Sequence, residues 1–387
     1  MKTRRGILKL VGGGFVLAAA GAGGWYVLNG PSDAARQAWR EAGAPEEKRR
    51  RFLSYALLAP NPHNRQPWLV KLEGEDDLTL YCDLDKRLPA TDPYDRQITL
   101  GCGAFLELFS IAAANEGFGV EITPFPEGEP RPRLDQRAVA SVRLIASGAA
   151  KDPAFAFITA RRTNRNTYDK RDVAPDLLKQ LETAGSIHGL AAHTTGEGEL
   201  AAKLRDLTWR AHQVEMLTPY TLQESVDLMR IGNSETVKYR DGLSMDGQMM
   251  EFGKLAGMIT HASMADTHSE TFKIGMKQFE EMAASARAFA WITGGEGRAG
   301  ELAAGRAYAR LNLKATELGL AIHPWSQSLQ EYPEMRALYD EVHSLIGGGQ
   351  IGGNGRVQML VRTGYADPVV PAPRRGVDAL FASREGQ

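Results

Sequence analysis

Three guanidinium groups and a hydroxyl fall within five residues at Arg161-Arg162-Thr163-Asn164-Arg165, followed by Tyr168 and Asp169. Arginine forks take phosphate oxygens two at a time, and a threonine hydroxyl adds a hydrogen bond. The cluster reads as a phosphate site, against the plainer reading of a basic surface patch. A second segment, Leu58-Ala59-Pro60-Asn61-Pro62-His63-Asn64-Arg65-Gln66-Pro67-Trp68, lies between a predicted helix and a predicted strand. Its prolines stiffen the turn and its amides hold donors and acceptors at fixed places. Such a loop suits the carbonyl and imide edge of a planar heteroaromatic; taken alone it is an Asn/Pro turn. Near the end, Arg374-Arg375 follows Pro371 and Pro373, within reach of the same phosphate.

Other chemistries find less support. The eight histidines never form His-Glu-x-x-His, and His261 and His268 lack a further ligand, so no metal is predicted. Gly347–Gly352 formally matches G-x-G-x-x-G. It follows a helix and precedes a strand, the reverse of the dinucleotide-binding context. No G-x-S-x-G elbow or Walker-type loop occurs.

The positioning elements follow from periodicity. Lys48–Ala59 has helical spacing, with Phe52, Tyr55, Ala56 and Ala59 on one side. The alternating runs Trp68–Leu72 and Leu78–Cys82 read as a hairpin across Gly74–Asp77. Helices are predicted at about 94–116, 175–184, 198–216 and 300–318, and strands at 140–146, 189–195 and 356–362. The stretch from Gly103 to Val120 can be laid, without a gap, on Gly305 to Ile322. In each, an apolar helix ends at a glycine and leads into an extended segment, as helix C-caps do. Two copies of one α+β unit explain this; a chance match of two Ala/Leu helices is the alternative.

Composition sets the outer limits. The chain has 387 residues, 43% hydrophobic and 24% charged, with 46 Lys+Arg against 47 Asp+Glu. That is an ordinary globular composition, and without a basic excess nucleic-acid binding is not expected. Two cysteines, Cys82 and Cys102, exclude a disulfide scaffold; spacing alone leaves their pairing open. The opening Met1-Lys2-Thr3-Arg4-Arg5-Gly6-Ile7-Leu8-Lys9, followed by uncharged Leu10–Leu28, has the layout of a twin-arginine export signal. Nineteen uncharged residues are also about enough for a plain membrane anchor, and the two readings are compatible. Ala20-Gly21-Ala22 offers a cleavage site, whereas Trp25-Tyr26-Val27-Leu28 looks like an anchor. Residues 29–47 read as a polar tether. Nine of the 12 methionines fall between Met216 and Met282, as a lid, a docking surface or core filling of a helical insert.

The two chemical segments carry a resemblance. Ala59–Trp68 resembles the APSxxNxQPW loop of the nitroreductase superfamily of flavoenzymes. Arg161–Tyr168 resembles its opening RRSxRxF motif, with Thr163 in the serine place and one extra residue before Tyr168. Gly319–Gln327 is similar to the family's flavin-face segment, and Thr363-Gly364-Tyr365 with Arg374-Arg375 to its C-terminal strand and tail. The resemblance covers about residues 48–375, and the chain is similar to the tandem, Acg-type branch.

Family members are homodimers with FMN at each subunit interface, one subunit giving the arginine motif and the other the loop. Here the loop precedes the motif in one chain, and neither has a second copy. The resemblance therefore implies an α+β, nitroreductase-like (FMN-dependent) fold of two tandem half-units forming an intramolecular pseudo-dimer. The expected organisation is signal or anchor 1–28, linker 29–47, first half 48–150 and second half 151–387, with a Met-rich insert at about 216–298. FMN is the implied cofactor. Arg161, Arg162, Thr163, Arg165 and Arg374 would hold its phosphate and ribityl chain, Pro60, Asn61, Pro62 and Asn64 would line it, and Ser326 and Gln327 would face its ring. Gln66 and Trp68 would set the loop. The implied function is an exported FMN-binding oxidoreductase, periplasmic or on the outer face of the membrane. It would pass two electrons to a nitro, quinone or related small-molecule acceptor, with flavin rather than a side chain carrying the chemistry. Quinol, a partner reductase or NAD(P)H remain open as donor. The twin-arginine translocase is the expected export partner, and the fused chain is expected to be a monomer. Two readings of other classes compete: a flavin-sequestering storage protein, and a tethered partner protein without flavin.

Overall fold

A computed structural model describes residues 31–347 and 355–381. The export-type run at 1–28 lies outside the described residues, as does most of the Gly347–Gly352 loop. The first half runs α1 (Lys48–Ala56), β1 (Trp68–Glu73), β2 (Asp77–Cys82), α2 (Arg96–Asn115), β3 (Phe118–Pro124) and β4 (Ala140–Ala146). The second begins with α3 (Pro175–Gly185) and β5 (Ala191–Thr195). An insert follows: α4 (Glu199–Leu217), α5 (Pro219–Asp227), β6 (Met229–Ile231), α6 (Gly232–Tyr239), β7 (Leu243–Met245), α7 (Gln248–Leu255), α8 (His261–Ala265) and α9 (Glu270–Ala284). The half then resumes with β8 (Ala288–Thr293), α10 (Gly297–Glu317), β9 (Ala321–Pro324), α11 (Arg336–Ile346) and β10 (Val357–Gly364).

The halves share one plan. The first sheet is ordered β1-β2-β4-β3 and the second β5-β8-β10-β9, both antiparallel throughout. In each, the first two strands pair, a long helix follows, and the last strand inserts beside the second. Helices α2 and α10 pack on each other at the centre. α2 is apolar on nearly all sides, long and apolar enough to cross a bilayer by composition, yet buried inside the molecule. A helix without a polar face belongs in a core. Each central helix ends at a left-handed glycine, Gly117 (φ 85°) and Gly319 (φ 68°), where a side chain would be strained. The fold is thus the expected α+β pair of half-units.

The halves differ where β1 turns directly into β2 while β5 and β8 are separated by the insert. The sequence reading carries that insert to about 298; the structure ends it at α9, and residues 288–293 form the central strand β8, buried at all six positions. An unbroken apolar run has no alternation to mark it as a strand. A second difference concerns the expected tether. Residues 33–40 are helical and bury Ala35, Arg36, Ala38 and Trp39, and the Trp39 indole donates to Ala372 O at 2.8 Å. Cys82 and Cys102 are buried free thiols.

Candidate functional site

The loop between α1 and β1 holds three non-glycine residues in left-handed conformations: His63 (φ 44°), Asn64 (52°) and Gln66 (52°). Such conformations persist only where the surroundings enforce them. Asn61 Oδ1 accepts from Gln66 N at 2.7 Å. Gln66 Nε2 donates to Arg240 O at 2.8 Å, and its Oε1 accepts from Arg375 N at 2.9 Å. Asn64 Nδ2 donates to Pro373 O at 3.0 Å. Arg374 donates to Leu57 O and Ala59 O, each at 3.0 Å, and also to the Asn64 side chain. The C-terminal tail and the insert therefore clamp the loop from both sides. Against α2, Gly101 allows the close approach: a Cβ there would stand 3.2 Å from Asn61 Cβ and 3.3 Å from Pro62 Cδ.

The arginine motif is fixed against the second sheet. Asn164 N donates to Ile322 O at 2.9 Å, and its side chain donates to Asp367 O at 2.8 Å. This leaves Thr163 and Arg165 facing a cavity between the halves. Arg165 as a residue is exposed, yet its guanidinium is hemmed in by protein, and burial lowers its pKa against the opposing pull of Tyr308. No carboxylate pairs with it among the described residues.

The cavity holds about 200 Å³, within about 1120 Å³ of atom-free space counted out to its mouth. Pro60, Asn61, Pro62 and His63 form one wall and Leu100 and Gly101 of α2 its floor. Thr163, Arg165, Tyr308, His323, Ser326 and Gln327 of the second half also line it. The insert closes it with His212, Glu215 and Met216 of α4, Ser225, Met229, Leu243 and Phe279. Ser326 turns its hydroxyl to Leu360 O at 2.9 Å, whereas Gln327 Oε1 is buried without a partner. Gln330 Oε1 and both ring nitrogens of His212 are likewise unpartnered.

The charges here are tuned by burial. His63 is lowered to about 4, first by burial and then by Arg165 and Arg65. His212, stacked on Phe279 with ring centres 3.9 Å apart, is lowered to about 3 by burial. His323 is held well below its usual value by burial and by Arg362, whose Nε donates to Nδ1 at 3.1 Å. Burial instead raises Glu215 to about 7. At neutrality the histidines are uncharged and Arg165 is the cavity's cation.

Of the residues expected at the site, Pro60, Asn61, Pro62, Thr163, Arg165, Ser326 and Gln327 line this cavity. Asn64, Arg161, Arg162 and Arg374 do not. Arg161, Arg162 and Arg374 surround the Trp39 ring at 5.6, 4.8 and 5.5 Å. Arg161 is buried, with Nη2 on Leu58 O at 2.8 Å and Nε and Nη1 unpartnered; burial lowers its pKa to about 10. Asn64 and Arg374 face each other and the loop carbonyls because the tail folds over the loop. Gln66 sets the loop, as expected. Sequence reasoning missed Tyr308, His212, Glu215 and Gln330. The signal for two of them was a histidine and a glutamate three apart on α4, among residues at core spacing.

No family model matches the chain. Among solved structures, the FMN-dependent nitroreductase NfnB from Mycobacterium smegmatis, in complex with NADPH, is 20% identical. It covers 60% of this chain and 96% of that one with a TM-score of 0.35, an overlap too loose to decide anything. A Mycobacterium tuberculosis protein named "Putative NAD(P)H nitroreductase Rv3131" is 27% identical over 342 residues, 84% of this chain and 88% of its own. "Putative NAD(P)H nitroreductase acg" of the same species is 27% identical over 347 residues, 85% of this chain and 93% of its own. Over most of its length, then, the chain is similar to proteins that bear the name NAD(P)H nitroreductase.

Proposed function

We propose that the chain is an FMN-dependent oxidoreductase of nitroreductase type, with one flavin site between its halves. The observation that carries this is that the Asn61 loop of the first half and the Thr163–Arg165 pair of the second line one and the same cavity. The donor set fits FMN. Arg165 is a cation without a carboxylate, beside the Thr163 hydroxyl, and suits the phosphate. Asn61 and the unpartnered Gln327 suit a polar ring edge, and Pro60, Pro62, Leu100 and Met359 are apolar walls. When bound, FMN supplies two-electron transfer; the chain's residues position it and exclude water.

A single site is favoured by the sequence, in which neither the Asn61 loop nor the Arg161–Arg165 motif has a second copy; carboxylates cap the starts of both central helices, Asp92 at α2 and Glu129 at α10. There Glu129 accepts from the backbone amides of Arg298 (3.0 Å) and Ala299 (2.9 Å). Arg298 is taken up by Pro132 O at 2.8 Å and Glu301 at 2.9 Å.

The names of the relatives favour NAD(P)H as donor and a nitro compound as acceptor; a quinone acceptor rests on the family resemblance alone, and a quinol or a partner reductase would suit an exported enzyme. The Arg4-Arg5 signal supports export through the twin-arginine translocase, to the periplasm or the outer face of the cytoplasmic membrane. A fused pseudo-dimer supports a monomer. A storage role has one observation in its favour, the closure of the cavity by the Met-rich insert. Anaerobic stopped-flow mixing of the flavin-loaded protein with NADPH and with quinol separates the two. Turnover with either donor and a nitroaromatic supports the enzyme; inert flavin, reducible by dithionite alone, supports storage.

A further inference from the structure

Six titratable side chains line the cavity, and Glu215 is the only carboxyl among them. It sits on α4, 4% exposed, where Ser225 Oγ and Gln330 Nε2 each donate to it at 3.2 Å. Neither partner is charged. One turn earlier on the same helix His212 stacks on Phe279, and both rings line the cavity. We propose that Glu215 is the acid that protonates the oxygen of a quinone-class acceptor bound in this cavity; the proposal rests on the flavin function above.

The balance of the reaction calls for such a group. A quinone becomes a hydroquinone by gaining two electrons and two protons. Both electrons and one proton amount to a hydride, which FMN, when bound and reduced, would supply. The other proton passes from the Glu215 carboxyl to the remaining quinone oxygen, and water reprotonates the carboxylate.

The neighbouring groups leave this task to Glu215. Burial raises it to about 7 against the pull of Gln330 and Ser225, with Glu224 of α5 adding to the rise. Glu224 itself is engaged by the Thr91 hydroxyl at 2.6 Å and by the amides of Ala90 and Thr91. Burial and then Glu215 push the Tyr332 phenol up. His63 and His212 lose their protons far below neutrality, His323 is held unprotonated, and Tyr308 is raised to about 12. A general acid works best when its pKa lies near the working pH, and contributes about 10²–10⁴-fold.

The test is Glu215→Gln in the flavin-loaded protein, reduced anaerobically and mixed with menadione on either side of neutrality. The wild-type oxidation rate should fall as pH rises through about 7. The variant should lose that pH break and be slower by about 10²-fold or more at acid pH. Ser225→Ala removes a bond to the carboxylate and should move the break to higher pH. Infrared titration without substrate should show a protonated-carboxyl band near neutrality in the wild type that is missing from Glu215→Gln, beside any band from Asp92, which burial raises to about 7. An unchanged rate and pH profile in Glu215→Gln, or identical infrared titrations, would overturn the proposal. The infrared titration reads Glu215 in flavin-free protein too, so failure of the flavin assignment shows separately.

Discussion

Gly103 and Gly305 stand 202 residues apart and make the same contact from opposite sides. A Cβ on Gly103 would come within 2.0 Å of Leu302 O, and one on Gly305 within 1.9 Å of Leu100 O. Leu100 and Leu302 are themselves 202 apart. This reciprocity is the signature of a two-fold contact, here made within one chain. The obstructing atoms are backbone, which cannot swing aside. Gly103→Ala and Gly305→Ala should each destabilise the protein by about 1–3 kcal/mol or more. Gly275→Ala, in α9 with nothing within 4 Å of the added Cβ, should instead stabilise by about 0.5–1 kcal/mol. Denaturant midpoints of the three variants check this.

A second tie between the central helices is ionic. Glu107 of α2 is 1% exposed and receives Arg306 Nε at 2.7 Å, Arg310 Nε and His188 Nε2 at 3.3 Å. Burial alone would raise its pKa, but these partners hold it down to about 2 from 4.5. The stability it contributes is fully present above about 4.5 and is lost as pH falls towards the folded value of about 2. Glu107→Gln should flatten that acid limb. Its cost at neutrality should be about 2 kcal/mol, below the usual value for a broken buried pair because both arginines are about a quarter exposed. Urea unfolding as a function of pH reads both effects.

The arginines should separate by role. Arg165→Ala removes the cavity's cation and should weaken FMN binding by about 1.5–3 kcal/mol while sparing riboflavin, which has no phosphate. Arg161→Ala and Arg374→Ala act through the carbonyls of Leu57–Ala59. They should weaken both ligands alike. Calorimetric titration with each ligand makes the comparison.

What the sequence made legible was local. Left-handed Gly117 and Gly319, the hairpin turn and the prolines of the loop act through their own backbone, so their places could be read directly. Strand β8 could not, because an apolar run buried on both faces has no period. Of the seven expected residues that line the cavity, five sit in the two local motifs, and Ser326 and Gln327 came from the resemblance of the Gly319–Gln327 segment. Arg374 and Asn64 went elsewhere because the tail and the loop satisfy each other first. Glu215 was hidden for the opposite reason: its character comes from Ser225, Gln330 and burial, which only the fold brings together.

The central claim is one flavin shared by two halves of a single chain. The direct measurement is the visible absorbance spectrum of the purified protein, with flavin and phosphorus quantified against protein. The account predicts flavin bands and one FMN per chain. Two FMN per chain would contradict the single site, and protein without flavin that takes up none when FMN is added would contradict the claim altogether.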